Sequence, residues 1–160
     1  MKTNRQEGFS LIELLIVVAI IGIIAAIAIP NLLASKRAAN EGSAQATMRT
    51  LTGAEATYQA TAGAGNFGSL SELSGQGLID SVLAGGNKSG YAFVVTETDI
   101  TGTPPVPAKY VSTASTLVAT GITATGTRNF ISNEAGVIYY GAASTTAMTA
   151  SSTSSPIGQN

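Results

Sequence analysis

The chain has 160 residues, a formal net charge of −1, and no cysteine, histidine or tryptophan. This length allows one domain, and the missing side chains exclude disulfides, thiol nucleophiles and imidazole-based metal or acid–base sites. The ionisable residues beyond Pro30 are scattered singly along the sequence, so we expect no enzyme active site and no cofactor.

The first eight residues form a short polar segment. Residues 1–8 contain Lys2, Arg5 and Glu7, so with the initial amine the segment is net positive. By the positive-inside rule it stays in the cytoplasm, which places everything after Pro30 on the other side of a membrane.

An apolar run follows from Phe9 to Ile29, with Glu13 as its single charged residue. As a helix this run is about 31 Å long, which matches a bilayer hydrocarbon core of about 30 Å. The sequence therefore predicts a transmembrane helix. Within it, Gly22 and Ala26 are four residues apart, a spacing that lets another helix approach closely, although small residues are also common in membrane helices.

Glu13 is the residue of the apolar run that needs an explanation. A carboxylate at the centre of a membrane helix costs about 2.5–3.5 kcal/mol, and less close to an end. If the helix packs among copies of itself, Glu13 needs a partner there. A free amine at Phe9, one turn away on the same face, could be that partner, and it exists only after a cut between Gly8 and Phe9.

The helix is expected to continue beyond Pro30, so that residues 9–62 form one long element. Pro30 lacks an amide proton and should kink the helix near Ala26–Ile29. In the second half, apolar residues recur with the period of an amphipathic helix: Ala44, Met48, Leu51, Ala54 and Tyr58. This stripe requires a cover, which we expect from the C-terminal half of the chain.

Residues 63–90 are interpreted as a glycine-punctuated connection. Gly63–Gly68 matches the spacing of a dinucleotide-binding loop, but it follows a helix and opens no βαβ unit, so a helix end and turn is expected. Ser69–Glu72 has the sequence of a capping box, and Asp80–Ala84 is expected to form another helical turn.

Residues 91–140 are expected to form the sheet of a small head. Aromatic and β-branched residues predict strands at Tyr91–Thr96, Lys109–Thr113, Arg128–Ser132 and Val137–Tyr140. Three or four antiparallel strands covering the helix stripe give an α+β fold, with residues 63–140 as the head. Residues 141–160 are rich in Ser and Thr and are expected to be a flexible or surface tail.

The N-terminal residues resemble a known family. Gly8-Phe9-Ser10-Leu11-Ile12-Glu13, the basic leader, the apolar run and Pro30 together resemble the N-terminus of type IV prepilins and pseudopilins. The resemblance implies cleavage by a prepilin peptidase after Gly8, methylation of the Phe9 amine, and Glu13 as the carboxylate that aligns subunits. Many pilins close a C-terminal loop with a disulfide, which a chain without cysteine cannot form.

The resemblance also implies a function and partners. The chain would be a structural subunit of a type IV pilus, held in the bacterial inner membrane with its head outside the cytoplasm, and then polymerised by the pilus assembly machinery into a helical homo-oligomer at the cell surface. No specific nucleic-acid site is expected, since Lys88, Lys109 and Arg128 are far apart in sequence.

Alternatives to a pilus subunit remain open from sequence. A plain signal anchor explains the hydrophobicity but not Glu13, and a secretory signal peptide cut at Ala26-Ile27-Ala28 would discard Glu13. The major pseudopilin of a type II secretion system has the same N-terminal signal, although the C-terminus lacks a calcium-type Asp cluster. A membrane-tethered binding module that never polymerises is a further possibility. Motility, adhesion and DNA uptake cannot be distinguished.

Overall fold

The structure, a computed structural model, describes residues 9–149 and 155–157. In these residues three helices precede six strands. The helices are α1 (Leu11–Ala60), α2 (Leu70–Gly75) and α3 (Ser81–Ala84). The strands are β1 (Asn87–Lys88), β2 (Tyr91–Thr98), β3 (Lys109–Thr116), β4 (Arg128–Asn133), β5 (Ile138–Ala142) and β6 (Ser155–Pro156). The chain divides into two compact units, one up to Ser35 and one from Lys36 onward.

The described part of the first unit consists of the start of α1. The Leu14 amide donates to the Ser10 carbonyl at 3.2 Å, which opens the helix. Pro30 lies inside α1. Next to it, Asn31 Nδ2 donates to the Ile27 carbonyl at 3.0 Å, one turn earlier. The kink expected at Pro30 stays a prediction.

The second unit contains an antiparallel sheet in the order β1-β2-β3-β4-β5-β6, in which each strand pairs with the next along the chain. The longest pairing joins β2 and β3 over eight residue pairs, from Tyr91↔Thr116 to Thr98↔Lys109. Because successive side chains of a strand point to opposite faces, this register places Phe93 and Ala114 beside Phe130 on one face of the sheet.

The second half of α1 packs against that face. The expected stripe is confirmed in that Ala44, Met48, Leu51 and Ala54 are buried and Tyr58 packs against the same cluster. The other buried members of the core come from α2, α3, the segment between them and the sheet: Leu73, Ile79, Leu83, Tyr91, Phe93, Ala114, Phe130 and Ile138. The core of the head thus forms between one helix face and one sheet face.

The opposite face of the sheet is covered by the segment after β5. The buried amide of Asn129 donates to the carbonyls of Ser144 at 2.7 Å and Thr146 at 3.4 Å, and its Oδ1 accepts from the Thr116 amide at 3.0 Å. Ser115 Oγ also donates to Thr146, at 3.2 Å. A Cβ at Gly141 would lie 2.8 Å from the terminal methyl of Met148, so Met148 packs directly on β5. We call residues 143–148 the outer strap.

The α+β class expected from sequence is confirmed, but the sheet is wider than expected. The two-residue strands β1 and β6 flank the four longer strands, and Ile157 after β6 packs against the core. The Ser/Thr-rich tail therefore contributes to the head in its described part. Residues 150–154 and 158–160 of that tail lie outside the described residues.

Two local predictions hold. The capping box at Ser69 forms, because Glu72 Oε2 accepts from the Ser69 amide at 2.8 Å while the Ser69 hydroxyl accepts from the Glu72 amide at 3.4 Å. At the end of α1 the Gly63 amide donates to the Tyr58 carbonyl at 2.8 Å, so Gly63–Gly68 is a helix end and turn.

Candidate functional site

The first unit presents an unusually apolar surface. Its large apolar side chains from Phe9 to Leu32 are exposed, from 45% at Val17 to 81% at Phe9. A helix that is apolar on every side requires lipid or other helices around it. Within the described residues, α1 is the one helix long and apolar enough to cross a membrane.

Glu13 lies in the first turn of α1 and is exposed. A negative charge there is favoured by the helix dipole by about 0.3–1 kcal/mol. The ion pairs among the described residues are Lys88–Asp80 and Arg128–Glu41, so Glu13 has no cationic partner within that part of the chain. Its predicted role in assembly therefore stays a prediction.

Of the other predicted site residues, Phe9, Gly22 and Ala26 are described by the structure, and they do not form a common site. Phe9 lies two residues before the start of α1, while Gly8 and the leader lie outside the described residues, so the cut and the methylation remain predictions. A Cβ at Gly22 would meet no atom within 4 Å, and Ala26 is exposed, so this small-residue face is open.

In the second unit, Glu41 joins α1 to the segment before β4. Glu41 Oε1 accepts from both the amide and the hydroxyl of Thr127 at 2.6 Å, and Oε2 lies 3.5 Å from Arg128 Nε. The preceding residue on the helix, Asn40, donates from Nδ2 to the Thr125 carbonyl at 2.9 Å. This set of contacts, from Asn40 and Glu41 to Thr125–Arg128, is called the Glu41 clamp below.

A second buried acid, Glu55, lies near the end of α1. Its Oε2 accepts from the Gly68 amide at 3.0 Å, and its side chain is completely buried. The pKa of Glu55 is raised from 4.5 to about 7: burial is the largest cause, the like charges of Glu97 and Glu72 act in the same direction, and the Gly68 bond opposes them.

Sequence reasoning missed both buried acids, although a signal was available. Glu41 precedes Ala44 by three residues and Glu55 follows Met48 by seven, so both lie on the stripe that is buried. Their spacing from the apolar residues of the stripe, rather than their residue type, indicates that they are buried. Within the described residues, no group of three or more acids is placed to hold a metal ion.

Comparison with known proteins finds similarity over part of the chain. Residues 3–29 match the prokaryotic N-terminal methylation motif. The chain is 60% identical over 38 residues to the type IV wide pilus major component PilA4 of Thermus thermophilus, covering 24% of this chain and 29% of that protein. It is 46% identical over 54 residues to the type IV major pilin protein PilA of Myxococcus xanthus, covering 34% of this chain and 24% of that protein.

Similarity also extends to a secretion component. The type II secretion system core protein G of Aeromonas hydrophila is 36% identical over 59 residues, covering 37% of this chain and 41% of that protein. The matches thus span less than half of each relative, and no solved structure matches the chain. Residues 3–29 of this chain thus carry the prokaryotic N-terminal methylation motif, and segments of 38 to 59 residues are similar to type IV pilins and to type II secretion core protein G.

Proposed function

We propose that the chain is the structural subunit of a type IV pilus, polymerising through its apolar N-terminal helix after cleavage between Gly8 and Phe9. The observation that carries this proposal is an exposed helix, apolar on every side, with one acid in its first turn just after a Gly-Phe junction. The share of identical residues in the aligned segments is higher with the two pilins, 60% and 46%, than with core protein G, 36%.

The mechanism is a transfer of this helix from the bilayer to a bundle of like helices. Both surroundings are apolar, so the large aliphatic side chains neither gain nor lose contact with water. Packing of helix against helix then decides the balance, and the open face at Gly22 and Ala26 allows a close approach. Because the difference in free energy is small, the transfer is reversible.

Glu13 makes a polar contribution to the free energy of the same transfer. In a bundle its carboxylate leaves the reach of water, and an unpaired charge in such a place is strongly unfavourable. The amine of Phe9, created by the cut and methylated, lies one turn away on the same face of its own chain and is available to the Glu13 of a neighbour. Pairing of these charges fixes the axial register of one subunit against the next.

Processing and location follow from the same segment. The basic leader stays in the cytoplasm, a prepilin peptidase removes it and methylates Phe9, and the assembly machinery takes the subunit from the inner membrane to the surface. The head from Lys36 onward is then outside the cytoplasm.

The test of this function is Glu13→Val in the native cells. We expect the same amount of protein in the membrane fraction and at least about tenfold less in sheared surface filaments, because the uncharged helix still inserts but has no registering pair. Mass spectrometry of wild-type filament subunits should give a chain that begins at methylated Phe9.

The matched control for that test is Ile20→Val, which shortens an aliphatic side chain in the same segment without changing charge and should assemble. Wild-type filament yield from Glu13→Val would contradict the registering role. Filaments whose subunits begin at Met1 or at Ile29 would contradict the proposed processing.

A second candidate is the major pseudopilin of a type II secretion system, favoured by the match to core protein G over 59 residues. Deleting the protein distinguishes the two functions. Loss of long surface filaments with normal secretion supports the pilus, whereas a secretion defect in cells that never had such filaments supports the pseudopilin.

A further inference from the structure

The connection between α1 and α2, residues 61–69, is seated on the last turns of α1 by two side chains. Glu55 Oε2 accepts from the Gly68 amide at 3.0 Å. The ring of Tyr58 lies so close to the same glycine that a Cβ there would be 3.0 Å from ring carbons, and a Cβ at Gly63 would be 2.8 Å from them. The seat therefore combines one buried hydrogen bond with one aromatic contact.

The carboxyl group of this seat is only half satisfied. Glu55 Oε1 is buried and has no hydrogen-bond partner within the part of the chain that the structure describes, and the same holds for the hydroxyl of Tyr110 on β3. A buried ionised carboxylate needs several donors or a cation, and the single amide of Gly68 supplies one bond. The geometry is thus better suited to a neutral carboxyl than to a carboxylate.

The charged groups around Glu55 also favour the neutral carboxyl over the carboxylate. Glu72 from α2 and Glu97 from β2 both act on it as like charges, while Tyr58 from its own helix and Tyr110 from β3 are neutral hydroxyls. Neither of the two ion pairs among the described residues includes Glu55. No cation of the described residues therefore pairs with Glu55 to offset the cost of ionising it in place.

We propose that Glu55 is a proton-operated latch for the segment 61–69. When the carboxyl holds its proton it stays buried and keeps Gly68 bound to α1. When the proton passes to water, the new charge is drawn out to solvent, the bond to Gly68 breaks, and the segment is released from the helix. The latch belongs to the second unit alone and operates whether or not the chain polymerises.

The sign of the pH dependence follows from linkage. The pKa of Glu55 is about 7 in the closed head and 4.5 in water, so the closed form binds the proton more tightly than the open form. Stability of the closed form is therefore complete below about pH 4.5 and decreases as the pH rises towards about 7. The latch is closed in acid and open in alkali.

Amide hydrogen exchange tests the proposal on the full chain in detergent micelles. Protection of the Gly68 amide, corrected for the pH dependence of intrinsic exchange, should fall about tenfold or more between about pH 5.5 and about pH 8.5. Ala114 in the central strand β3 is the internal control and should keep its protection.

Two variants identify the responsible carboxyl. Glu55→Gln keeps an acceptor for Gly68 but cannot ionise, so its Gly68 protection should be the same at both pH values. Glu97→Gln removes a like charge and lowers the pKa of Glu55 in the closed form, so the fall in Gly68 protection between the two pH values should be smaller than in the wild type. A wild-type protection that does not change with pH, or a drop that persists in Glu55→Gln, overturns the proposal. If Glu55→Gln does not fold, Glu97→Gln decides, since a fall in Gly68 protection as large as that of the wild type, or larger, overturns the proposal as well.

Discussion

Gly126 shows how a single side chain position can be closed by its neighbours. A Cβ at this residue would overlap the hydroxyl of Tyr91 and lie 2.8 Å from the ring carbon that carries it. That hydroxyl donates to the Arg128 carbonyl at 2.7 Å, so the ring cannot move away without losing a buried hydrogen bond. Glycine is required here by close approach rather than by backbone angles.

We therefore expect Gly126→Ala to destabilise the head by about 2–4 kcal/mol, through overpacking and loss of the Tyr91 bond. The measurement is thermal unfolding followed by near-ultraviolet circular dichroism, which reports on the tyrosine environment. The matched control is Gly53→Ala, at a helical glycine whose Cβ would meet no atom within 4 Å. It should raise stability by about 0.5–1 kcal/mol. Equal effects of the two variants would contradict this explanation.

Residue patterns predicted the elements that have a strong period and missed those that do not. The strands β2 to β5 were accessible because aromatic and β-branched residues mark them. The two-residue strands β1 and β6 are too short for any alternation to be detected. The outer strap was missed for a different reason, because its backbone carbonyls rather than its side chains are held by Asn129.

The residues of the candidate site likewise divide into those that the sequence reveals and those that it does not. The apolar run and Glu13 are evident in the sequence because hydrophobicity and a lone charge need no tertiary information. Burial of Glu41 and Glu55 depends on what covers α1, and an acid in an amphipathic helix is ordinarily assigned to the solvent side. Only the packed head shows that both acids bind backbone amides of distant segments.

At the scale of elements, the Glu41 clamp fixes the segment before β4 to α1. Glu41→Ala leaves the amide and hydroxyl of Thr127 without their acceptor, so we expect a loss of about 2–4 kcal/mol in the free energy of unfolding. Chemical denaturation of the full chain in detergent, read from tyrosine signals of the head, measures this loss.

The comparison for the clamp is the exposed pair of Lys88 and Asp80, whose charged atoms lie 2.7 Å apart. Lys88→Met should cost only about 0–1 kcal/mol, because solvent screens such a pair. If Lys88→Met cost as much as Glu41→Ala, burial would not be the reason for the strength of the clamp.

At the scale of the whole molecule, the two units differ in the solvent they require. The buried residues of the described chain begin at Glu41, so the core of the head belongs to the second unit. The exposed aliphatic side chains between Phe9 and Leu32 all belong to the first unit. One unit is built for water around a packed interior, and the other for an apolar medium.

This difference predicts that a chain beginning at Lys36 folds without detergent. We expect it to be monomeric by sedimentation and to show a cooperative thermal transition, because none of the described residues before Lys36 is a buried core residue. The full chain under the same conditions should aggregate. A truncated chain that is unfolded, or that aggregates as the full chain does, would show that the first unit contributes to the stability of the head.

The way in which the outer strap is held affects which of its residues can be substituted. Asn129 and Ser115 donate hydrogen bonds to the backbone carbonyls of Ser144 and Thr146, so these bonds do not depend on the side chain of Thr146. A substitution at the exposed Thr146 can therefore change the side chain at the surface while these hydrogen bonds stay in place. The outer strap thus allows its exposed side chain to vary while its backbone stays bound to the sheet.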